Sequence, residues 1–317
     1  MRRLSIHLGL HKTGTSYLQA YLVRNRAALA TAGLAVPPAT HKDSHEQYAL
    51  ALRDGGAQAL LQAVDWRLGD HQVISSERIG SLLCTPRLGL ARALAELAER
   101  QHIELNIILL LRRQDILKES IFSEVVKTWY RGSIADERHY DYDFDARLKY
   151  LEEALGIDRL RVAIYRRHGP TPLADMFLGL LGLDPGALSL SGVRQRNVRM
   201  NRRETLFLSQ VPKEVPRFAE AVRFAVERND FIRDDGHENL MSPAQHEEFL
   251  SRYVHGNEAL MSRYGLSDPS WTSPDFGDRA AWAPPADIEP QEYIAVMMEA
   301  AALSWAEATR RVQAARQ

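Results

Sequence analysis

Hydrophobic and polar positions change their period along the chain. Short apolar or alternating runs predict strands at Leu4 to Leu8, Leu34 to Val36, Gln72 to Ser75, Leu105 to Leu111 and Leu160 to Tyr165. Between them the spacing turns helical. From about Ser16 to Thr31, Leu18, Tyr21, Leu22 and Leu29 share one side and Gly33 supplies a stop, so the chain opens as a βαβ unit. Further helices are predicted around 88–100, 114–129 and 146–155. The run from Leu105 is almost uniformly apolar, as befits the centre of a parallel sheet covered on both faces. The first 165 residues therefore read as α/β, with a doubly wound parallel sheet. From about Pro170 the pattern is mainly helical: Leu173 to Leu181, a stretch around 204–229, and Pro243 to Tyr264. An irregular segment follows from Asp268 to Pro290, and then a final helix with Ile294, Met297, Met298, Ala301 and Trp305 at helical spacing, a core or partner face. The expected organisation is one domain over 1–317, an α/β core to about 210 and a helical C-terminal part over 211–317.

Composition narrows the class. With 317 residues, 45% hydrophobic and 26% charged, the chain is an ordinary globular protein. Its 40 Lys and Arg against 41 Asp and Glu leave a net charge of -1, which argues against a dedicated nucleic-acid binder. The single cysteine, Cys84, excludes an intramolecular disulfide and any multi-cysteine metal site, and reads as a small buried hydrophobe. Met1, Arg2 and Arg3 are followed by apolar positions broken by His7, His11 and Lys12, which is no secretory signal. No window approaches the ~20 apolar residues of a membrane-spanning helix. A cytoplasmic protein is the expectation. Only six of the 40 basic residues are lysines, which singles out Lys12, inside a glycine-containing loop.

That loop is Gly9-Leu10-His11-Lys12-Thr13-Gly14-Thr15-Ser16, between a predicted strand and a predicted helix. Its amides and the helix N-terminus are placed to converge on an anion. The glycines have the spacing of a nucleotide triphosphatase loop, but Thr15 stands where that loop needs lysine, and the lysine comes earlier, at Lys12. No apolar strand ending in Asp offers a magnesium ligand, and no His, Asp, Glu or Cys cluster has metal spacing. The alternative is a chance loop with a surface lysine.

The run His7 to Ser16 resembles the 5′-phosphosulfate loop of sulfotransferases that use 3′-phosphoadenosine 5′-phosphosulfate (PAPS). The resemblance implies a P-loop-like fold, PAPS as co-substrate, and contacts to its 5′-phosphate and sulfate from His11, Lys12, Thr13, Gly14, Thr15 and Ser16. It also covers the apolar strand ending in Leu110-Leu111-Arg112-Arg113, with Ser120 eight positions after Arg112, which resembles the family's 3′-phosphate pair. A bidentate guanidinium and a hydroxyl suit that anion. A third stretch, Arg161 to Tyr165 with the helix after it, is similar to the family's next strand and helix, although Arg166 stands where an acidic residue is common. The five arginines between Arg194 and Arg203, with Asn197 and Asn201, form either a donor clamp or a solvated basic segment. The resemblance spans about residues 1–210.

Sulfuryl transfer needs a base for the acceptor proton and positive charge at the departing phosphate oxygen. Glu77, after the strand Gln72 to Ser75, lies at the carboxyl end of the sheet, where an α/β crevice forms, and is the first candidate base. Its competing reading is an exposed ion pair with Arg78. His11, His41 and His45 are the reserve bases. Trp129, Tyr130, Tyr140, Tyr142 and Phe144 either stack on an acceptor or form a packed loop. The expectation is a PAPS-dependent sulfotransferase acting on a hydroxyl of a carbohydrate or glycolipid, with a small-molecule acceptor second and Lys12, Glu77 and His11 as catalytic residues. Two other classes stay open: a P-loop kinase or nucleotide triphosphatase, and a non-catalytic binding protein of this fold.

Overall fold

The apolar runs become four parallel strands in the order β2-β1-β3-β4, in a computed structural model that describes residues 1–40, 43–166, 172–188, 190–192, 200–234, 239–272 and 283–314. Along the chain β1 (Arg2–His7) leads to α1 (Thr15–Arg24), α2 (Arg26–Thr31) and α3 (Glu46–Ala63), then to β2 (His71–Ser75), α4 (Glu77–Leu83) and α5 (Leu90–Arg100). Next come β3 (Ile103–Leu111), α6 (Gln114–Val125), α7 (Phe144–Leu155), β4 (Leu160–Ile164) and α8 (Leu173–Leu180). The remainder is helical: α9 (Arg202–Gln210), α10 (Pro216–Arg228), α11 (Pro243–Ser251), α12 (Val254–Tyr264) and α13 (Pro290–Ala314). The fold class is α/β, with a P-loop-like parallel sheet and a mainly helical C-terminal part.

Contacts gather the chain into two interleaved units: 1–113 with 143–196 and 254–272, and 114–142 with 197–253 and 273–317. The first unit holds the sheet. Register pairs Ile6 with Ile74 on one side and Ile107 on the other, and β3 is buried along nearly its whole length. Leu18, Leu22 and Leu29 of α1 and α2 join Phe177 and Leu178 of α8 over Val73, Ile108 and Leu110. Because side chains alternate, Ile107 and Leu109 turn to the other face, where α5 packs on β3 with α3 and α7 beside it. β1 has a neighbour on each side, so the strand order reverses between β1 and β3. In such sheets the ligand crevice opens at the carboxyl ends of those two strands.

Two local predictions come out differently, and one helix has no counterpart among them. Leu34 to Val36 makes only an isolated bridge, Ala35 to Gln72, because Pro37 and Pro38 end the pairing. The first helix breaks at Asn25, whose side chain donates to the Tyr21 carbonyl (2.9 Å) and accepts from the Ser191 amide (2.8 Å). The long α3 escapes the periodicity because Gly55 and Gly56 interrupt it, and Gly56 leaves helical geometry at φ 70° and ψ -164°.

In the second unit the stretch around 204–229 is two helices, split by Pro212 and restarted by Pro216. Asn201 and Glu204 form a capping box at the start of α9. The core joins Phe207 and Leu208 to Val222 and Val226 of α10 and to Val296 and Ala300 of α13. Tyr130 and Tyr142 are packed, whereas Trp129 is half exposed, edge-on to His139.

The buried face of α6 carries charge: Asp115, Lys118 and Glu119 are all at most 2% exposed. Lys118 Nζ donates to the Glu137 carbonyl (2.9 Å) and sits 4.8 Å over the Phe249 ring. His246 of α11 bonds Asp115 through Nδ1 (2.8 Å) and brings Nε2 to 3.3 Å from Glu119. Burial alone would lower the His246 pKa, but bonds to Asp115 and Glu119 override it and push the value up to about 9. A raised pKa contributes stability that is complete below the unfolded value near 6.5 and is lost as pH rises through about 9. The melting temperature should therefore fall across that window, by an amount equivalent to at most roughly 3 kcal/mol, and the fall should flatten in His246→Gln. An equally steep profile in the variant would remove His246 as its cause.

Candidate active site

The loop after β1 turns on residues with left-handed backbone: Gly9 (φ 54°), Lys12 (φ 63°) and Gly14 (φ 78°). Lys12 is one of three non-glycine residues with positive φ among the described residues, a conformation that persists only where its surroundings hold it. Two sets of bonds do so. Inside the loop, Thr13 Oγ1 donates to the Leu10 carbonyl (2.6 Å), as does Thr15 Oγ1 at 3.4 Å. From β3, Arg112 Nη1 donates to the Lys12 carbonyl (2.9 Å), with its guanidinium 5.7 Å from the Tyr165 ring centroid. Thr13 and Thr15 are buried and brace the loop, while Ser16 is exposed in the first turn of α1.

The glycines are needed for space as well as for φ. A Cβ on Gly9 would meet Thr15 Cγ2 at 2.9 Å and Glu77 Cγ at 3.2 Å, and one on Gly14 would run into Leu173 Cδ2. Gly80 lets α4 come up against the Leu8 carbonyl, where a Cβ would collide with it. That approach delivers Glu77, the first residue of α4, to the loop. His11 Nδ1 lies 3.4 Å from Glu77 Oε2, and the two side chains are 45% and 42% exposed. Arg78, the expected competitor for Glu77, turns to Glu46 instead (2.8 Å), and Ser76 Oγ donates to the same carboxylate (3.4 Å). Glu46 is the residue that sequence reasoning missed. Nothing in the chain marks a partner 32 positions upstream of Arg78.

The other candidates fall as follows. His45 is buried with both nitrogens engaged: Nδ1 accepts from the Ser75 amide (3.0 Å) and Nε2 donates to the Pro37 carbonyl (3.0 Å), while burial lowers its pKa. That fixes a neutral tautomer with no lone pair for an acceptor proton. His41, Arg194, Asn197 and Arg199 lie outside the described residues. Arg113 Nη1 donates to the Ser270 carbonyl (3.3 Å), and Arg166 bonds Asp268 (2.8 Å). Ser120 is half-buried on α6, in the second unit.

Beneath the loop lies a buried polar layer that the sequence analysis did not assign. His7 is wholly buried, bonds Ser75 Oγ (2.9 Å), and burial pushes its pKa down to about 3, so it is neutral at any working pH. Gln19 Nε2 donates to the Ser75 carbonyl (3.4 Å). The available signal was the alternation of Arg3, Ser5 and His7 with Leu4, Ile6 and Leu8, which gives β1 one polar face. Among the described residues no group of three or more His, Cys, Asp or Glu side chains is arranged to hold a metal ion, and no helix is long and apolar enough to cross a membrane.

No protein-family profile matches the chain, and no curated protein matches it in sequence. Among solved structures, it is similar to a sulfotransferase from Alicyclobacillus acidocaldarius, at 13% identity and a TM-score of 0.46, over 86% of this chain and 99% of that one.

Proposed function

We propose that the protein is a sulfotransferase that moves the sulfuryl group of PAPS to a hydroxyl of a carbohydrate or glycolipid acceptor and releases 3′-phosphoadenosine 5′-phosphate (PAP). One observation carries the reading. Arg112 and Lys12, 100 positions apart and assigned by resemblance to the two ends of one nucleotide, meet at the crevice between β1 and β3, where Arg112 holds the Lys12 carbonyl.

The residues present suit such a ligand. The loop turns through left-handed backbone at Gly9, Lys12 and Gly14, a conformation that suits main-chain amides converging on a phosphate. When bound, PAPS supplies an activated sulfuryl group on a phosphate leaving group. Lys12 and the N-terminal turn of α1, with Ser16, hold that phosphate and neutralise the charge that grows on its bridging oxygen. Glu77 takes the acceptor hydroxyl's proton on a carboxylate oxygen, and His11, 3.4 Å away, orients that carboxylate. Arg112 and Ser120 are proposed to receive the 3′-phosphate. The exposure of Glu77 and His11 leaves the base open to a bulky polar acceptor.

Calorimetric titration tests the donor half. PAP should bind at least about tenfold more tightly than ADP, since a charge-assisted contact to the 3′-phosphate is worth roughly 1.5 to 3 kcal/mol. Magnesium should change neither affinity. Equal affinity for PAP and ADP would overturn the reading and favour a kinase or nucleotide triphosphatase.

A further inference from the structure

Helix α6 is held in its unit by charges, and one hydroxyl stands on the opposite side. From Gln114 to Ser123 the positions that are not buried are Ile116, Ser120 and Ser123, a narrow stripe with spacings of four and three. Asp115, Lys118 and Glu119 are all inside. At about 100° per residue, Asp115 and Lys118 lie roughly 140° and 160° around the helix from Ser120, so the hydroxyl stands behind the face that carries them. That face meets α11 and the chain leading into it. Asp115 accepts from His246 Nδ1 (2.8 Å), and one oxygen of Glu119 accepts from the Met241 amide (2.8 Å) with His246 Nε2 3.3 Å away. Lys118 sits over the ring of Phe249, also on α11, and donates to the Glu137 carbonyl.

Stability alone does not call for such an arrangement. Apolar side chains would bury the same face without desolvating ions, and a buried ion pair is often matched by well-packed hydrophobic residues of similar volume. What apolar packing lacks is direction, so it tolerates a small turn of the helix about its axis or a slide along it. Hydrogen-bonded ions do not. Asp115 and Glu119 are one turn apart, and a single imidazole reaches both. Turning α6 by one residue position would break both contacts and leave charges buried without partners, a strongly unfavourable state. His246 therefore fixes the rotation and the height of α6 together. The side chain aimed by that choice is Ser120, next in the chain after Glu119.

We propose that Asp115, His246 and Glu119 are positioning residues for the 3′-phosphate site: by locking the rotation of α6 they aim the Ser120 hydroxyl at that anion. They act through Ser120 and not by contact with the nucleotide. The proposal rests on the part given to Ser120 in the proposed function, and names what holds that hydroxyl in place.

Titration of the full chain with PAP and with ADP tests it, each beside a melting curve of the same preparation. Ser120→Ala sets the scale: PAP affinity should fall by about tenfold, the worth of one hydrogen bond to a charged group, while affinity for ADP, which has no 3′-phosphate, stays unchanged. Asp115→Ala should give the same selective loss. Asp115→Asn still accepts from His246, and should bring PAP affinity back to within about twofold of the wild type. In the Ser120→Ala background, Asp115→Ala should weaken PAP binding no further, because both changes act on one hydrogen bond. Should Asp115→Ala fail to fold, the combination Asp115→Asn, Glu119→Gln and His246→Leu removes every charge of the cluster at once, leaves none of them buried alone, and is expected to show the same selective loss. An intact PAP preference in Ser120→Ala or in the cluster variants, an equal loss of PAP and ADP, additive losses in the double variant, or an Asp115→Asn as damaged as Asp115→Ala overturns the positioning role and leaves the nucleotide reading standing. A wild-type protein that does not prefer PAP overturns the nucleotide reading, and this proposal with it.

Discussion

Lys12→Ala should lose PAPS turnover by at least about 10²- to 10³-fold while the protein keeps its melting temperature. The magnitude is that of removing one preorganised charge or donor from the place where negative charge develops. Lys12 is suited to that task because its backbone is held in the left-handed region by Arg112 and by the bonds that Thr13 and Thr15 make to Leu10. The cation is therefore presented without a search through loop conformations. Alanine leaves those braces in place, so folding should be spared. The measurement is the appearance of PAP from PAPS, followed with the melting curve of the same preparation. Near-normal turnover in the variant would sink the loop assignment.

The second large effect is expected at Glu77. Glu77→Gln keeps the size and much of the hydrogen bonding of the side chain but removes proton acceptance, so turnover should fall ~100-fold or more with PAP affinity little changed. A Glu77 that served only as a cation's partner would show a lowered melting temperature and intact turnover per folded molecule. The geometry bears on the contrast, since Arg78 is engaged by Glu46 and the Glu77 carboxylate faces the His11 ring. Retained turnover in Glu77→Gln would move the base to His11 or His41, because both nitrogens of His45 are committed to main-chain partners. A His11→Gln variant completes the comparison: an orienting role costs less than the loss of the base itself.

Much of this was legible in order along the chain. Strands β1 to β4 lie within two residues of their predicted limits because each is a short apolar run ended by glycine, arginine or a polar turn. Local sequence also singled out the loop proposed to hold a phosphate, since glycine spacing and a lysine among few lysines are readable without any tertiary contact. Less legible was everything that depends on a glycine acting as a spacer. Gly55 and Gly56 hid α3 by breaking its period, and Gly80 gave no hint that it would let α4 close on the Leu8 carbonyl. The face of α13 was undecided for a related reason. Ile294, Met298, Ala301 and Trp305 have helical spacing whether they meet the core or a partner, and only the packing of Val296 and Ala300 against α10 shows which face was left over.

By itself, then, the amino-acid sequence determined the α/β class, the position of the loop proposed to bind an anion and the residue types available to it. These follow from hydrophobic period, glycine placement and charge, which act over a few neighbouring residues. Only the tertiary structure decided who stands beside whom: Arg112 on the Lys12 carbonyl, His11 against Glu77, Arg78 on Glu46, His45 locked between Ser75 and Pro37. Such pairs join positions from 8 to 100 residues apart. Which of many compatible charges meet is set by strand order and by how closely helices approach the sheet, and neither is written in any local window of the chain.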